Sequence, residues 1–192
     1  MQSVCGILSA HTESGVEIFV SASFAQVSLS PPLVAVNPNR MHSVEPAIAL
    51  TGRFAINVLT VGSREVVARM MRMRRREPNK AQVVGLSIVE DEYHIPFVDG
   101  ALRVLFCEVE SKIPSGDRRL YIARVLESRV NSALNEQRPL LFADVLGNQS
   151  ASPTQKLTKR ALIVSGVFDS AKKLRDKLRP PLPPNIALTT YE

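Results

Sequence analysis

The chain has no tryptophan, and only 5% of its 192 residues are aromatic. That leaves little material for the stacked-ring platforms on which single-stranded nucleic acids bind. Cysteine is scarce too. Cys5 and Cys107 stand far apart in apolar, strand-like runs with no C-x-x-C spacing, so both read as small buried hydrophobes rather than a redox pair. No apolar run approaches the roughly 20 residues a helix needs to cross a bilayer. The N-terminus also lacks the basic-then-apolar-then-small order of a signal peptide, so a cytoplasmic location is expected. Conventional catalytic sets are missing as well: His11, His42 and His94 are scattered, and no nucleophile elbow, metal-ligand pair or phosphate-binding glycine loop occurs.

What the chain does have is 45% hydrophobic residues, enough for a substantial core in one domain with an appendage. A net charge of +6 favours an anionic partner: nucleic acid, membrane phosphate or a phosphorylated cofactor. The positive charge concentrates at Arg69, Arg72, Arg74, Arg75 and Arg76, and again from Lys156 to Arg179. With so few aromatics, nucleic acid is the weakest of the three.

Val4 to Ala10 and Val16 to Val20 flank a Glu13-Ser14-Gly15 turn and read as a hairpin. From Val20 the strand turns small and polar, which suits an open face approached closely by a planar ligand. Pro31-Pro32 breaks the chain, Leu33 to Val36 reads as a fully buried strand, and a polar, basic loop follows from Asn37 to Ser43. Ser43 is a candidate N-cap and Gly52 a terminator for a short helix with Glu45 in its first turn. Phe54 to Leu59 then forms another buried strand.

Ser63 is a second candidate cap, for a helix with Val66, Val67, Met70 and Met73 on one face and arginines elsewhere, ended by Pro78-Asn79. Leu105, Cys107 and Val109 alternate with Glu108 and Glu110, as in a half-buried strand. Pro114-Ser115-Gly116-Asp117 turns the chain into a partner strand at Leu120 to Leu126. Strands joined by tight turns, with two short helices inserted, fit a small antiparallel barrel. Asn131 to Pro153 reads as loop, apart from a short closing segment at Pro139-Leu140-Leu141-Phe142. The remainder, with a helix at Ser170 to Leu178 and a Pro-rich end, reads as an extension.

Four stretches in order carry a resemblance: Ser21-Ala22-Ser23-Phe24, Val27-Ser28-Leu29-Ser30-Pro31-Pro32-Leu33-Val34, the loop Asn37 to Ser43, and Gly52 to Leu59. Together they resemble the flavin reductase-like family of FMN-binding split barrels. The resemblance implies a mainly β, antiparallel Greek-key barrel with short helices over residues 1–150, and a basic, Pro-rich extension over 151–192 as a candidate dimer arm. It implies FMN, or alternatively FAD, as cofactor, NADH or NADPH as hydride donor, a homodimer, and a free flavin or a partner monooxygenase as acceptor. Candidate cofactor-binding residues are Ser21, Ala22, Ser23, Phe24, Val27 and Ser28 for the ring and ribityl chain, with Asn37, Arg40 and Ser43 around the phosphate.

The missing catalytic dyad fits this resemblance, because a flavin carries its own hydride chemistry and asks the protein only to bind, orient and tune it. One departure stands out: where many family members have Gly-Asp-His, this chain has Gly116-Asp117-Arg118. Asp117 and Arg118 are therefore candidate nicotinamide contacts, and a flavin-binding module without NAD(P)H turnover is the alternative function.

Overall fold

The structure is a computed structural model that describes residues 3–74 and 77–146. The expected extension over 151–192, its helix and Pro-rich end, and Arg75 and Arg76 of the arginine cluster lie outside the described residues.

The expected hairpin forms from β1 (Gly6–Thr12) and β2 (Gly15–Ser21). After a two-residue link come β3 (Phe24–Ser28), β4 (Leu33–Val36), helix α1 (Val44–Thr51) and β5 (Arg53–Val58). Next are α2 (Arg64–Arg72), α3 (Lys80–Val84) and a small hairpin of β6 (Ile88–Glu90) and β7 (Pro96–Val98). Two 13-residue strands, β8 (Arg103–Ser115) and β9 (Arg118–Val130), precede a final short helix, α4 (Phe142–Leu146).

Seven strands form one sheet in the order β2-β1-β5-β8-β9-β4-β3, and every pairing is antiparallel. Its two edge strands, β2 and β3, are consecutive in the chain and joined only by Ala22-Ser23. A sheet whose opposite edges are tied by two residues has to curl until the edges meet, which makes it a barrel split between β2 and β3.

Both faces of the sheet are covered along its central strands β1, β5 and β8. Inside, Leu8, Ile56, Phe54, Cys107 and Tyr121 pack with Val44 and Ile48 of α1. Outside, Ile7, Ala55 and Phe106 pack under α2, α3 and the β6–β7 hairpin. Fully burying a side chain of this size contributes about 1.5–3 kcal/mol, so β1 and β5 anchor the fold from two sides. The same double cover corrects the half-buried expectation for β8. Leu105, Cys107 and Val109 do share the inner face, but Val104 and Phe106 are buried on the other, where Phe97 meets Phe106 edge-on at 5.3 Å.

Strand β4 is a correction in the opposite sense. Val34 and Val36 are buried, while Leu33 and Ala35 are half-exposed, because one face of this edge region lacks a covering layer. The small β6–β7 hairpin, α3, entered through Asn79 at φ 52°, and α4 went unread in the sequence. The second helix stops at Arg72, before Pro78-Asn79. The closing segment behaves as expected, with Leu140 fully buried and main-chain bridges from Leu141 to Val4 and from Pro139 to Thr60. Among the described residues, no helix is long and apolar enough to cross a membrane.

Candidate functional site

Helix α1 is fixed at its N-terminal end from two directions. Ser43 does not act as the expected side-chain cap: its backbone is already helical. Its hydroxyl instead donates to Glu17 of β2 at 2.5 Å and accepts from the Lys80 ammonium at 3.0 Å, forming a partly buried cluster of β2, α1 and α3. On the other side, the Glu45 carboxylate accepts from Arg119 at 2.6 Å and from the Tyr121 hydroxyl at 2.7 Å. Burial, reinforced by the hydrogen bond to Glu45, pushes the Tyr121 phenol up to about 12, so it is a neutral donor across the physiological range. Gly52 closes the helix at φ 68°, its amide bonding to Ile48 O at 2.9 Å.

The loop entering α1 is bound to the tip of the β8–β9 hairpin. Asn39 donates through Nδ2 to Asp117 Oδ2 at 2.6 Å, and Arg40 N donates to Asp117 O at 3.1 Å. Arg119 N donates to Pro38 O at 3.2 Å, while Arg118 Nη1 reaches the Asn37 carbonyl at 3.0 Å. Asn37 in turn donates its amide to Ser23 O at 3.3 Å, linking the loop to the connection between β2 and β3. Asn37 Oδ1 is buried with no hydrogen-bond partner. Arg40 is exposed, and no described residue pairs with its guanidinium.

Sequence positions 21–24, 37–43 and 117–118 thus meet along one side of the split. Ser21 is buried, its hydroxyl accepting from Ser23 N at 3.2 Å, whereas Ser23 is exposed. Phe24 lies against Gly6: a Cβ there would sit 3.0 Å from the ring, so the glycine makes room for it. Ala22 and Phe24 line an open cleft of about 560 Å³ together with Leu33, Leu105 and Val125. A neighbouring cleft of about 460 Å³ shares Phe24, Val4, Arg103 and Leu105. Val27 is 51% exposed on the β3 edge and Ser28 is half-buried beside it. At roughly 3.3 Å per residue they stand about 10–13 Å from the Phe24 end, a span suited to an elongated ligand.

Sequence reading found most of these positions but not Asn39, Gly6 or the Glu17–Lys80 pair. Glu17 and Lys80 are 63 residues apart and Asn39 and Asp117 are 78 apart, so no local signal joins them.

A seven-stranded antiparallel sheet curled so that its sequence-adjacent edges meet, with a helix and an arginine-bearing loop beside the split, defines the class of small split barrels. Comparison with known proteins narrows it. The chain belongs to the flavin reductase like domain family, whose pattern matches residues 1–146. The reductase subunit HsaB of a flavin-dependent monooxygenase from Mycobacterium tuberculosis is 36% identical over 124 residues, covering 65% of this chain and 63% of that protein. The chain therefore spans just under two thirds of that relative's length. A flavin reductase from Pseudomonas putida is 30% identical over 139 residues, covering 72% of this chain and 77% of that one. Among solved structures, a homologue of nitrilotriacetate monooxygenase component B from Mycobacterium thermoresistibile superimposes with a TM-score of 0.67 at 27% identity, covering 83% and 89% of the two chains.

Proposed function

We propose that this protein binds FMN along the split of the barrel and reduces flavin with NADH, supplying reduced flavin to a partner monooxygenase. The carrying observation is the loop from Asn37 to Ser43, which presents the exposed Arg40 at the N-terminal end of α1 and is bonded through Asn37 to the β2–β3 link at Ser23. Arg40 and the α1 N-terminus suit a phosphate, since a guanidinium and oriented amides both favour an anion. Exposed backbone along Ser23 to Val27 suits the carbonyl-rich edge of a flavin ring, with Ala22, Phe24 and Ser28 beside it. Asn37 Oδ1, lacking a partner, is an acceptor still to be satisfied.

Bound flavin would supply hydride acceptance, which explains why no catalytic dyad is needed. The chain's part is to hold the phosphate with Arg40, keep Ser43 in place through Glu17 and Lys80, and leave one face of the ring open. Ser21 acts indirectly, shaping the link through Ser23 N. Asp117 and Arg118 stand beside the loop, where a nicotinamide would approach.

The exposed Val27 on the β3 edge and Leu29 just past its end, with the apolar cleft beside them, support a second copy of the chain as cover, giving a homodimer. The domain is taken as residues 1–150, with 151–192 as its extension, and a cytoplasmic setting goes with NADH as donor.

The test is a visible spectrum of the purified protein with FMN, followed by anaerobic NADH. Bands that bleach are the expected result; bands that persist favour a flavin-binding module without turnover, and no uptake of FMN or FAD rejects both. Arg40→Ala should weaken FMN by about tenfold, the worth of a charge-assisted hydrogen bond, and leave riboflavin nearly unaffected. Equal losses for the two ligands would remove Arg40 from the phosphate.

A further inference from the structure

The tip of the β8–β9 hairpin makes more bonds to the loop after β4 than pairing of strands requires. Regular β4–β9 pairing runs only to Val36 opposite Tyr121. Past that point come the Asn39–Asp117 side-chain bond, the Arg40 N to Asp117 O and Arg119 N to Pro38 O bonds, and a main-chain bridge from Asn39 to Arg118. Asn39 Oδ1 also accepts from Met41 N at 2.9 Å, which fixes the loop's own bend.

Arg118 adds something the backbone bonds do not. Its guanidinium donates to the carbonyl of Asn37, the residue whose amide is bonded to Ser23 O. Asn37 is therefore the junction between the strand proposed to carry the flavin ring and the loop proposed to carry its phosphate, and Arg118 holds that junction from the far hairpin. The neighbouring Arg119 is committed to Glu45 and cannot take this part.

We infer that Arg118 is a positioning residue: it latches the hairpin tip onto Asn37 and sets the spacing between ring strand and phosphate loop, rather than gripping the dinucleotide itself. This rests on the flavin-site reading above, but the latch is a property of the free protein and can be measured without ligand.

Arg118→Ala and Arg118→Lys in the full chain test it. Hydrogen exchange without ligand should speed up about tenfold at the Arg40 and Arg119 amides in the alanine variant, the low end for losing a charge-assisted bond, with no change in β1 or β5. FMN affinity should fall by a similar factor while KM for NADH at saturating FMN stays within about twofold, and lysine should recover part of both. A raised KM for NADH with exchange and FMN affinity unchanged would overturn the inference and give Arg118 to the dinucleotide. Unchanged values throughout would overturn it too. Should the wild type take up no flavin, the functional proposal fails, and the exchange measurement still decides the latch.

Discussion

Asn57 belongs to the Gly52-to-Leu59 stretch that carried the family resemblance, yet it lies in the core rather than at the split. Fully buried on β5, it donates through Nδ2 to Ile7 O at 2.9 Å and to Ser9 Oγ at 2.8 Å, and its Oδ1 accepts from Val98 N at 2.8 Å. Every polar atom of the carboxamide is used, and three strands are stitched by it. Replacing it with leucine keeps the volume roughly but strands the Val98 amide in the core, while the Ser9 hydroxyl keeps only its bond to Pro96 O. Asn57→Leu should cost about 2–4 kcal/mol in urea unfolding and leave the FMN affinity of the folded protein intact. A loss of FMN affinity without a loss of stability would mean that Asn57 acts on the ligand. Recognising a residue as part of a family pattern therefore did not tell which work it does; the hydrogen-bond partners did, and they come from elsewhere in the chain.

At the scale of elements, the strongly punctuated ones were legible. Gly15, Gly52 and Gly116 each mark a turn or helix end at a positive φ, and strands flank them as expected, although β8 takes in Pro114 and Ser115 and β9 runs from Arg118 to Val130, beyond the expected Leu120 to Leu126. Gly52 is the sharpest case: no atom lies within 4 Å of a Cβ built there, so only its backbone conformation at φ 68° demands glycine. Gly52→Ala should destabilise by about 1 kcal/mol with an unchanged m-value, whereas Gly52→Asn, which tolerates the left-handed region, should cost less. Equal losses for the two would point to a steric role the geometry does not contain. The short α3 and α4 were missed because five residues show no helical period, and their positions follow from packing of α3 against β2 and α2 and of α4 against α2. Neither Ser43 nor Ser63 makes the expected side-chain cap bond, and for Ser43 the structure shows why. Serine before a helix offers a hydroxyl to the first turn, but a tertiary partner can claim it, as Glu17 and Lys80 claim that of Ser43.

For the molecule as a whole, the candidate site is an assembly of three chain segments that local sequence named but could not bring together. What brings them together is the curl of a sheet with sequence-adjacent edges, a consequence of topology. The same closed, doubly covered sheet seals ionisable groups away from water. Burial raises the Cys107 thiol from 9.0 to about 12 and the Cys5 thiol from 9.0 to about 11, while burial and the Glu45 bond raise Tyr121 from 10.0 to about 12. In each case the folded state keeps a proton that the unfolded chain releases sooner. Their contribution is complete below about pH 9 and is lost as pH rises through 9 to 12. One pKa unit corresponds to about 1.4 kcal/mol, so stability in denaturant should be level from pH 7 to 8.5 and fall by several kcal/mol by pH 11. Cys107→Ala loses some packing at every pH but should flatten the alkaline slope. A slope identical to wild type would mean that Cys107 ionises without unfolding the barrel, and that its inner face is open to water.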